Sequence, residues 1–277
     1  MSGDPKALVL CADDYAQHAG VTQAVLALAA QGRLTATSAM VLSPRWHADA
    51  APLREQRGRI DVGLHLDFTS DFAIAAGHGL SLGAAMRRAL LGGFDAAAAR
   101  GVIERQLDAF EAVWGAPPDH VDGHQHVQQF AGIRAPLVQV LARRYGARPP
   151  WLRVSQAPAG QRTLKSRVIA GLGANTIKSI AYGAHIPCAT ALSGIYDFEG
   201  DASAYAQRMA DWLARSPTGT VLMCHPGAAP GAADAPDPIA AARRWEFAHL
   251  AGPAFAAQCA AAGVRLARGS ALYTPQP

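Results

Sequence analysis

Two adjacent carboxylates, Asp13 and Asp14, directly follow the apolar run at residues 7–12. A short aliphatic run of this kind is typical of a buried strand. Neighbouring carboxylates repel each other, and they are unfavourable at the mouth of a core strand unless a cation or another partner compensates them. A metal ion could bind one of them and leave the other free to move protons. The pair therefore indicates metal-assisted or acid–base chemistry.

Histidines accompany three further apolar runs that we predict to be strands. His65 lies within one run, His124 and His126 follow a second, and His225 ends a third. Because the carboxyl ends of parallel strands share one face of an α/β sheet, we expect these groups to converge with the aspartates. One aspartate and two histidines form a common ligand set for a divalent ion, with positions left open for water.

The same groups suggest a reaction. A bound divalent ion lowers the pKa of water and polarises a carbonyl, a carboxylate beside it can take the proton of the water, and a histidine opposite can protonate a leaving amine. Together these groups could hydrolyse an amide. Each residue alone has a second interpretation: His65 could be a hydrogen-bonded core histidine, Asp14 a helix N-cap and His225 a turn residue.

Short strands that alternate with longer helices are predicted to position these residues. We predict strands at residues 7–12, 35–42, 60–66, 120–122, 151–154, 220–224 and 264–267. We predict helices at residues 21–31, 95–114, 133–145, 202–215 and 239–262, the last with a break at Gly252 and Pro253. Residues 75–83 and 228–238 are predicted to be loops, and residues 160–200 show no clear periodicity. Such alternation favours a parallel sheet, either closed as a barrel or open and doubly wound.

Composition limits the class of protein. The 277 residues are 50% hydrophobic and 17% charged, and no linker divides them, so we expect one domain over residues 1–277. The net charge is +4 with scattered basic residues, which argues against nucleic acid as a partner. No stretch approaches the roughly 20 apolar residues of a membrane span, and the N-terminus lacks a signal-peptide pattern. The four cysteines form no C-x-x-C pair, and reduced thiols fit a cytoplasmic location.

Four segments, in order, resemble the YdjC/ChbG-like carbohydrate deacetylases, a family that includes the hopanoid-associated HpnK proteins. They are LCADDY at 10–15, VGLHLDFT at 62–69, VDGHQHV at 121–127 and MCHPG at 223–227, and the run RRWE at 243–246 resembles a later R-x-x-E segment. The resemblance implies a fold of the α/β class, a distorted (β/α) barrel related to polysaccharide deacetylases. It also implies that the protein removes N-acetyl groups from sugars with the help of a divalent metal.

The resemblance assigns roles to single residues. It implies three metal ligands, namely Asp14, His65 and His124. Asp13 matches the catalytic base, and His225 resembles a second catalytic histidine that acts as an acid or stabilises the transition state. Arg153 lies where the family tends to place a substrate-facing arginine. His126 could be a fourth ligand, a substrate contact or a core residue.

Several questions stay open at this stage. Oxygen and nitrogen ligands together favour zinc, although manganese, nickel, cobalt or magnesium would also suit. The substrate could be an oligosaccharide or a glycolipid headgroup. A metal-dependent hydrolase of another bond, such as a phosphoester or a non-sugar amide, and a non-catalytic sugar-binding barrel are the alternatives. The sequence does not decide whether the chain forms a homo-oligomer, or whether the loop at residues 228–238 is a lid.

Overall fold

Eight strands form the sheet in the computed structural model, which describes residues 4–228 and 236–273. They are β1 (Lys6–Tyr15), β2 (Ala36–Ala39), β3 (Asp61–Leu66), β4 (His120–Gly123), β5 (Trp151–Leu152), β6 (Ala191–Ser193), β7 (Thr220–Cys224) and β8 (Val264–Leu266). Every pairing among these strands is parallel, in the order β5-β4-β3-β2-β1-β7-β6. The carboxyl ends of the strands therefore lie at one edge, as the sequence predicted.

The sheet curls into a distorted barrel. Strands β5 and β6 lie at the two ends of the strand order. Leu152 N of β5 donates to Pro187 O at 2.8 Å, and Ala189 N donates to Leu152 O at 3.0 Å, so the segment just before β6 pairs with β5 and brings the two ends together. Strand β1 pairs with two further strands along its length: its residues 9–12 pair with β7, and its residues 6–8 pair with β8. The predicted α/β distorted barrel is confirmed.

Twelve α-helices within residues 4–228 and 236–273 surround the strands. They are α1 (Ala19–Ala30), α2 (Trp46–Leu53), α3 (Asp71–Ala75), α4 (Leu82–Leu90), α5 (Ala96–Trp114), α6 (Arg134–Tyr145), α7 (Leu164–Gly171), α8 (Ala174–Gly183), α9 (Ala202–Arg215), α10 (Ala240–Ala251), α11 (Pro253–Ala261) and α12 (Gly269–Leu272). The longest, α5, begins after the N-cap Asp95, whose side chain accepts from Ala98 N at 2.6 Å, and ends at Gly115 in a left-handed conformation.

The apolar core lies between the sheet and the helices, because the aliphatic residues of the strands and of the inner helix faces are buried together. The interior of the barrel is different. Besides a smaller apolar cluster that includes Val9 and Val221, it holds the buried charged side chains of Asp13, Asp122 and Arg153. Burial of so many charges is unfavourable unless they pair, and their pairing defines the site described below.

Some elements differ from those predicted. Helix α2 went unpredicted because Pro52 lies inside it, and proline ordinarily marks the end of a helix. The predicted loop at residues 75–83 includes the start of α4. Helices α7 and α8 and strand β6 occupy residues 160–200, where the sequence shows no periodicity. Most of the predicted loop at 228–238, the candidate lid, lies outside the described residues.

Candidate active site

A bulge in β1 turns both adjacent aspartates toward the site. Successive side chains of a regular strand point to opposite faces, which would separate Asp13 from Asp14. Here the register of β1 against β2 shifts between Ala12 and Tyr15, and Asp14 has a φ of 65°. An irregular strand of this kind re-aims a side chain. As a result both carboxylates line the same cavity at the carboxyl edge of the sheet.

The three predicted metal ligands converge. Asp14 Oδ1 lies 3.4 Å from His65 Nε2 and 3.2 Å from His124 Nδ1. The two imidazole rings meet edge to face, with centroids 5.6 Å apart. The set is buried except for His124, which is partly exposed to the cavity. One oxygen and two nitrogen atoms therefore point at a common volume that could hold a divalent ion.

His65 is oriented by groups behind it. Its Nδ1 lies 2.6 Å from Asp122 Oδ1 and 3.1 Å from Ser38 Oγ. With a proton on Nδ1, the ring donates to Asp122 and directs the Nε2 lone pair at the site, which is the usual support for a metal-bound histidine. Burial lowers the pKa of His65, but the carboxylates of Asp122 and Asp13 outweigh it and raise the pKa to about 10. Without a metal the ring is therefore protonated on both nitrogens, and an ion bound at Nε2 would displace that proton.

The guanidinium of Arg243 holds Asp14 from the side opposite the histidines. Arg243 Nη2 donates to Asp14 Oδ2 at 2.7 Å, and this leaves Oδ1 free to face the histidines. Burial raises the pKa of Asp14, but the Arg243 guanidinium and the two histidines outweigh it and hold the pKa well below its ordinary value. Arg243 is itself held by Asp237 and Gln17, at 2.6 Å each. The ligand carboxylate is therefore charged and fixed in orientation.

Arg153, the arginine that the resemblance places toward the substrate, is buried behind Asp13 and does not line the cavity. Its side chain is 0% exposed, and its guanidinium donates to Asp13 Oδ1 at 2.6 Å and to Asp13 Oδ2 at 2.8 Å. A third contact, at 3.0 Å, reaches Asp122 Oδ2. The two carboxylates attract the cation into the barrel interior, where it lies behind Asp13. Arg153 therefore orients the predicted base and cannot contact a ligand in the cavity.

His225 lies on the other side of Asp13. Its Nε2 is 3.9 Å from Asp13 Oδ2, and its backbone N–H donates to Glu246 Oε2 at 2.5 Å. Burial, opposed in part by Asp13 and Asp14, lowers the pKa of His225 to about 4. The imidazole is thus neutral at pH 7 and placed within a short movement of the predicted base.

His126 lies on the cavity wall rather than beside the three ligand atoms. The segment after β4 is a tight turn in which Gln125 and His126 have φ values of 52° and 65°. The turn replaces the extended conformation that would have pointed His126 the same way as His124. Its Nδ1 lies 2.9 Å from Ser155 Oγ, and burial lowers the pKa of the imidazole well below its ordinary value. His126 therefore presents a neutral ring to the cavity.

Two other clusters have ligand-type atoms close together among the described residues: Cys11 with His120 and Asp122, and Asp13 with His65 and Asp122. The guanidinium of Arg153 contacts both aspartates, so a second cation there would meet a positive charge. Burial also raises the pKa of the Cys11 thiol well above its ordinary value, which disfavours the thiolate that a metal requires. The set built on Asp14 is the better metal site.

The cavity above these groups has a volume of about 1080 Å³. The polar floor described above is surrounded by apolar side chains, among them Met40, Phe130, Ile195 and Phe198. A volume of this size accommodates a ligand of several rings.

Several residues of the site had no predicted role, among them Asp122, Arg243 and Glu246. Asp122 orients His65, Arg243 holds Asp14, and Glu246 accepts from the backbone of His225. The R-x-x-E run at 243–246 was the available sign for two of them, since both side chains lie on one turn of α10. Asp122 had no such sign, because an aspartate in a strand before a glycine is also typical of a turn.

The sequence is similar to one protein family over most of its length. A profile described as YdjC-like protein matches residues 7–261. A chitooligosaccharide deacetylase of Serratia marcescens is 27% identical over 237 residues, covering 80% of this chain and 81% of that protein. A chitooligosaccharide deacetylase of Yersinia pestis (strain Pestoides F) is 32% identical over 144 residues, covering 50% of this chain and 56% of that protein.

A solved structure shares the fold. The crystal structure of a proposed cellobiose-phosphate cleavage protein of Enterococcus faecalis V583 aligns with a TM-score of 0.74 at 18% identity, over 98% of this chain and 100% of that one. The family profile spans almost all of the chain and includes every residue of the site. The chain therefore belongs to the YdjC-like protein family.

Proposed function

We propose that residues 1–277 act as one catalytic domain, a metal-dependent hydrolase that removes N-acetyl groups from an amino sugar. One observation carries this proposal: three ligand atoms, a buried carboxylate and a neutral histidine meet at the floor of one cavity. Asp14, His65 and His124 supply the ligand atoms, Asp13 the carboxylate and His225 the histidine. Relatives that are named chitooligosaccharide deacetylases support the sugar as substrate.

The ligand set fits a divalent ion. Asp14 Oδ1 is free of its arginine, and the second ring nitrogen of His65 is engaged by Asp122. Oxygen and nitrogen ligands suit zinc first, and also manganese, nickel or cobalt. Bound there, such an ion would lower the pKa of a water molecule and polarise the acetyl carbonyl.

The protein residues then move the protons. Asp13, held by two hydrogen bonds from Arg153, accepts the proton of the water that attacks the acetyl carbon. The carbon–nitrogen bond breaks, and the amine leaves with a proton from His225. Because the resting imidazole is neutral, it must first receive that proton, and Asp13 Oδ2 lies only 3.9 Å away. The sum of these steps is amide plus water giving acetate and the protonated amine.

The walls of the cavity suit a sugar that carries an apolar group or stacks on apolar surfaces. His126, fixed by Ser155, offers a neutral nitrogen that could contact a sugar hydroxyl. We propose this substrate contact in place of a role as fourth ligand.

The test is acetate release. Protein stripped with a chelator and reloaded with zinc, manganese, nickel or cobalt is assayed on N-acetylglucosamine oligomers, on an N-acetylated glycolipid and on phosphoesters. We expect acetate from an N-acetylated sugar, lost on chelation and restored by one of the metals. Acetate release that survives complete metal removal would contradict the proposal. So would phosphoester cleavage alone, or sugar binding by calorimetry without acetate under any metal.

A further inference from the structure

Two helices beside the cavity carry exposed aliphatic side chains. Helix α4 presents Leu82, Met86 and Leu90 at a spacing of four residues, and α7 presents Leu164 and Val168 at the same spacing. Residues four apart lie on one face of a helix, so each helix has a continuous aliphatic stripe. All of these residues except Leu90 line the cavity, so the stripes begin at its mouth and extend outward.

The exposure of these side chains is unusual. Leu90 is 71% exposed, Leu91 85%, Leu164 81% and Val168 47%. Together with Leu82 they form what we call the aliphatic rim. Seven large apolar side chains are exposed within the described part of the chain, and five of them belong to this rim. Apolar side chains scattered singly need no explanation, whereas a concentration around one opening marks an interaction surface.

Positive charges outnumber negative ones around the rim. Residues 72–94, which include α4, contain no aspartate or glutamate, and neither do residues 123–196, which include α7; the acidic residues that flank these ranges are Asp71, which lines the cavity, Asp95 and Asp197. Exposed arginines adjoin the aliphatic residues on both helices: Arg87 and Arg88 on α4, and Arg167 on α7. The rim is therefore aliphatic and basic on both sides of the cavity.

The aliphatic and basic side chains of the rim favour one kind of binding partner over the others. A second copy of the chain would bring together two rims that each carry an excess of positive charge, which disfavours that contact. Sugars stack on aromatic rings and hydrogen-bond to polar groups, which aliphatic side chains do not offer. A lipid surface with anionic headgroups offers acyl chains for the leucines and phosphates for the arginines.

We propose that the aliphatic rim docks on a membrane surface that contains anionic phospholipid, with the mouth of the cavity facing the headgroups. No helix among the described residues is long and apolar enough to span a bilayer, so the contact would be peripheral. This inference concerns a partner and does not depend on which bond the site hydrolyses.

The test measures binding to vesicles in the absence of any sugar. The metal-loaded protein is floated with vesicles of phosphatidylcholine alone, or of phosphatidylcholine with one-third phosphatidylglycerol, at low and high salt. We expect binding to the anionic vesicles that weakens as salt rises. Leu90→Ser/Leu91→Ser should reduce partitioning about tenfold, because two leucines no longer enter the interface. Arg87→Gln/Arg88→Gln should reduce it by about fivefold for each charge removed.

Matched controls separate the rim from general surface properties. Arg59→Gln/Arg265→Gln removes two exposed positive charges elsewhere: Arg59 precedes the amino end of β3, and Arg265 lies in β8. This variant should bind vesicles as the unchanged protein does. Circular dichroism and light scattering confirm folding and report self-association.

Three outcomes would overturn the inference: no binding to anionic vesicles, equal loss in the control variant, or rim variants that bind as well as the unchanged protein. Self-association that the rim variants abolish, without vesicle binding, would assign the surface to a second copy instead. Acetate release from a water-soluble N-acetylated sugar, measured without vesicles, reports the proposed function separately. Leu90 and Leu91 do not line the cavity, so their replacement should leave that rate unchanged.

Discussion

The buried contact between Arg153 and Asp13 makes a quantitative prediction. Replacement of Arg153 by methionine keeps most of the volume but removes a guanidinium that is 0% exposed and contacts two carboxylates, Asp13 and Asp122. Loss of one partner of a buried ion pair costs about 3–5 kcal/mol, because the remaining charge is left without compensation. That is a large part of the 5–15 kcal/mol that typically separates folded from unfolded protein.

A double-mutant cycle isolates the pair. Asp13→Asn removes the charge of Asp13, and it leaves Arg153 its contact with Asp122. In Arg153→Met/Asp13→Asn, one uncompensated carboxylate has gone, so the double variant should be more stable than the sum of the single effects predicts, by about 2–3 kcal/mol. The assay is urea unfolding followed by circular dichroism at constant pH. Chelator is present throughout, because a bound metal would add its own stabilisation.

Arg134 supplies the matched control. This arginine is partly buried and donates to the backbone carbonyls of Gln129 and Leu172 rather than to a carboxylate. Arg134→Met and Asp13→Asn should therefore add, to within about 0.5 kcal/mol. If Arg153→Met and Asp13→Asn also add, the two side chains are not coupled, and the positioning role of Arg153 is refuted.

Three further predictions concern the site. Asp13→Asn should keep its metal, measured by elemental analysis, and lose most acetate release; a wild-type rate in the metal-loaded variant would exclude Asp13 as the base. Asp122→Asn should lower metal affinity by about 10–100-fold, measured by competition with a chelator, because the group that accepts from His65 Nδ1 loses its negative charge; unchanged affinity would contradict that role. Burial raises the pKa of Glu246 to about 7, above the ordinary value of 4.5. Since the folded protein favours the protonated carboxyl, the stability that this group contributes is complete below about pH 4.5 and declines as pH rises through about 7. Glu246→Gln should remove that decline, which amounts to at most about 3 kcal/mol between about pH 5 and pH 8; an unchanged pH dependence of unfolding would refute this.

Much of the fold was predictable from local sequence. The apolar runs correspond to strands, and α5 begins one residue after its predicted start at 95 and ends at its predicted last residue, Trp114. Parallel strands then bring residues at their carboxyl ends to one edge, which is why Asp14, His65 and His124 converge although they are far apart in the chain. The prediction that these groups converge needed only the element order and the strand ends, whereas their selection as metal ligands came from the family resemblance.

The remaining features depend on contacts that local patterns do not encode. Arg153 and Asp13 are 140 residues apart, and nothing near Arg153 indicates that its side chain turns into the barrel. The φ of 65° at Asp14 arises where β1 changes its register against β2, and no glycine marks that position. The turn at Gln125 and His126 is likewise built from residues that ordinarily avoid positive φ. Strained backbone of this kind is concentrated where the chemistry is proposed.

Two buried arginines compensate the repulsion between the adjacent carboxylates of Asp13 and Asp14. Each carboxylate has its own arginine, and the arginines approach from opposite parts of the chain: Arg153 follows β5 and Arg243 lies in α10. Arg153 engages both oxygens of Asp13, whereas Arg243 engages only Oδ2 of Asp14 and leaves Oδ1 toward the two histidines. The same residue type is thereby given two environments. Asp13 is fixed and paired through both oxygens, which suits its proposed role as the base. Asp14 keeps one oxygen free, which suits its proposed role as a metal ligand.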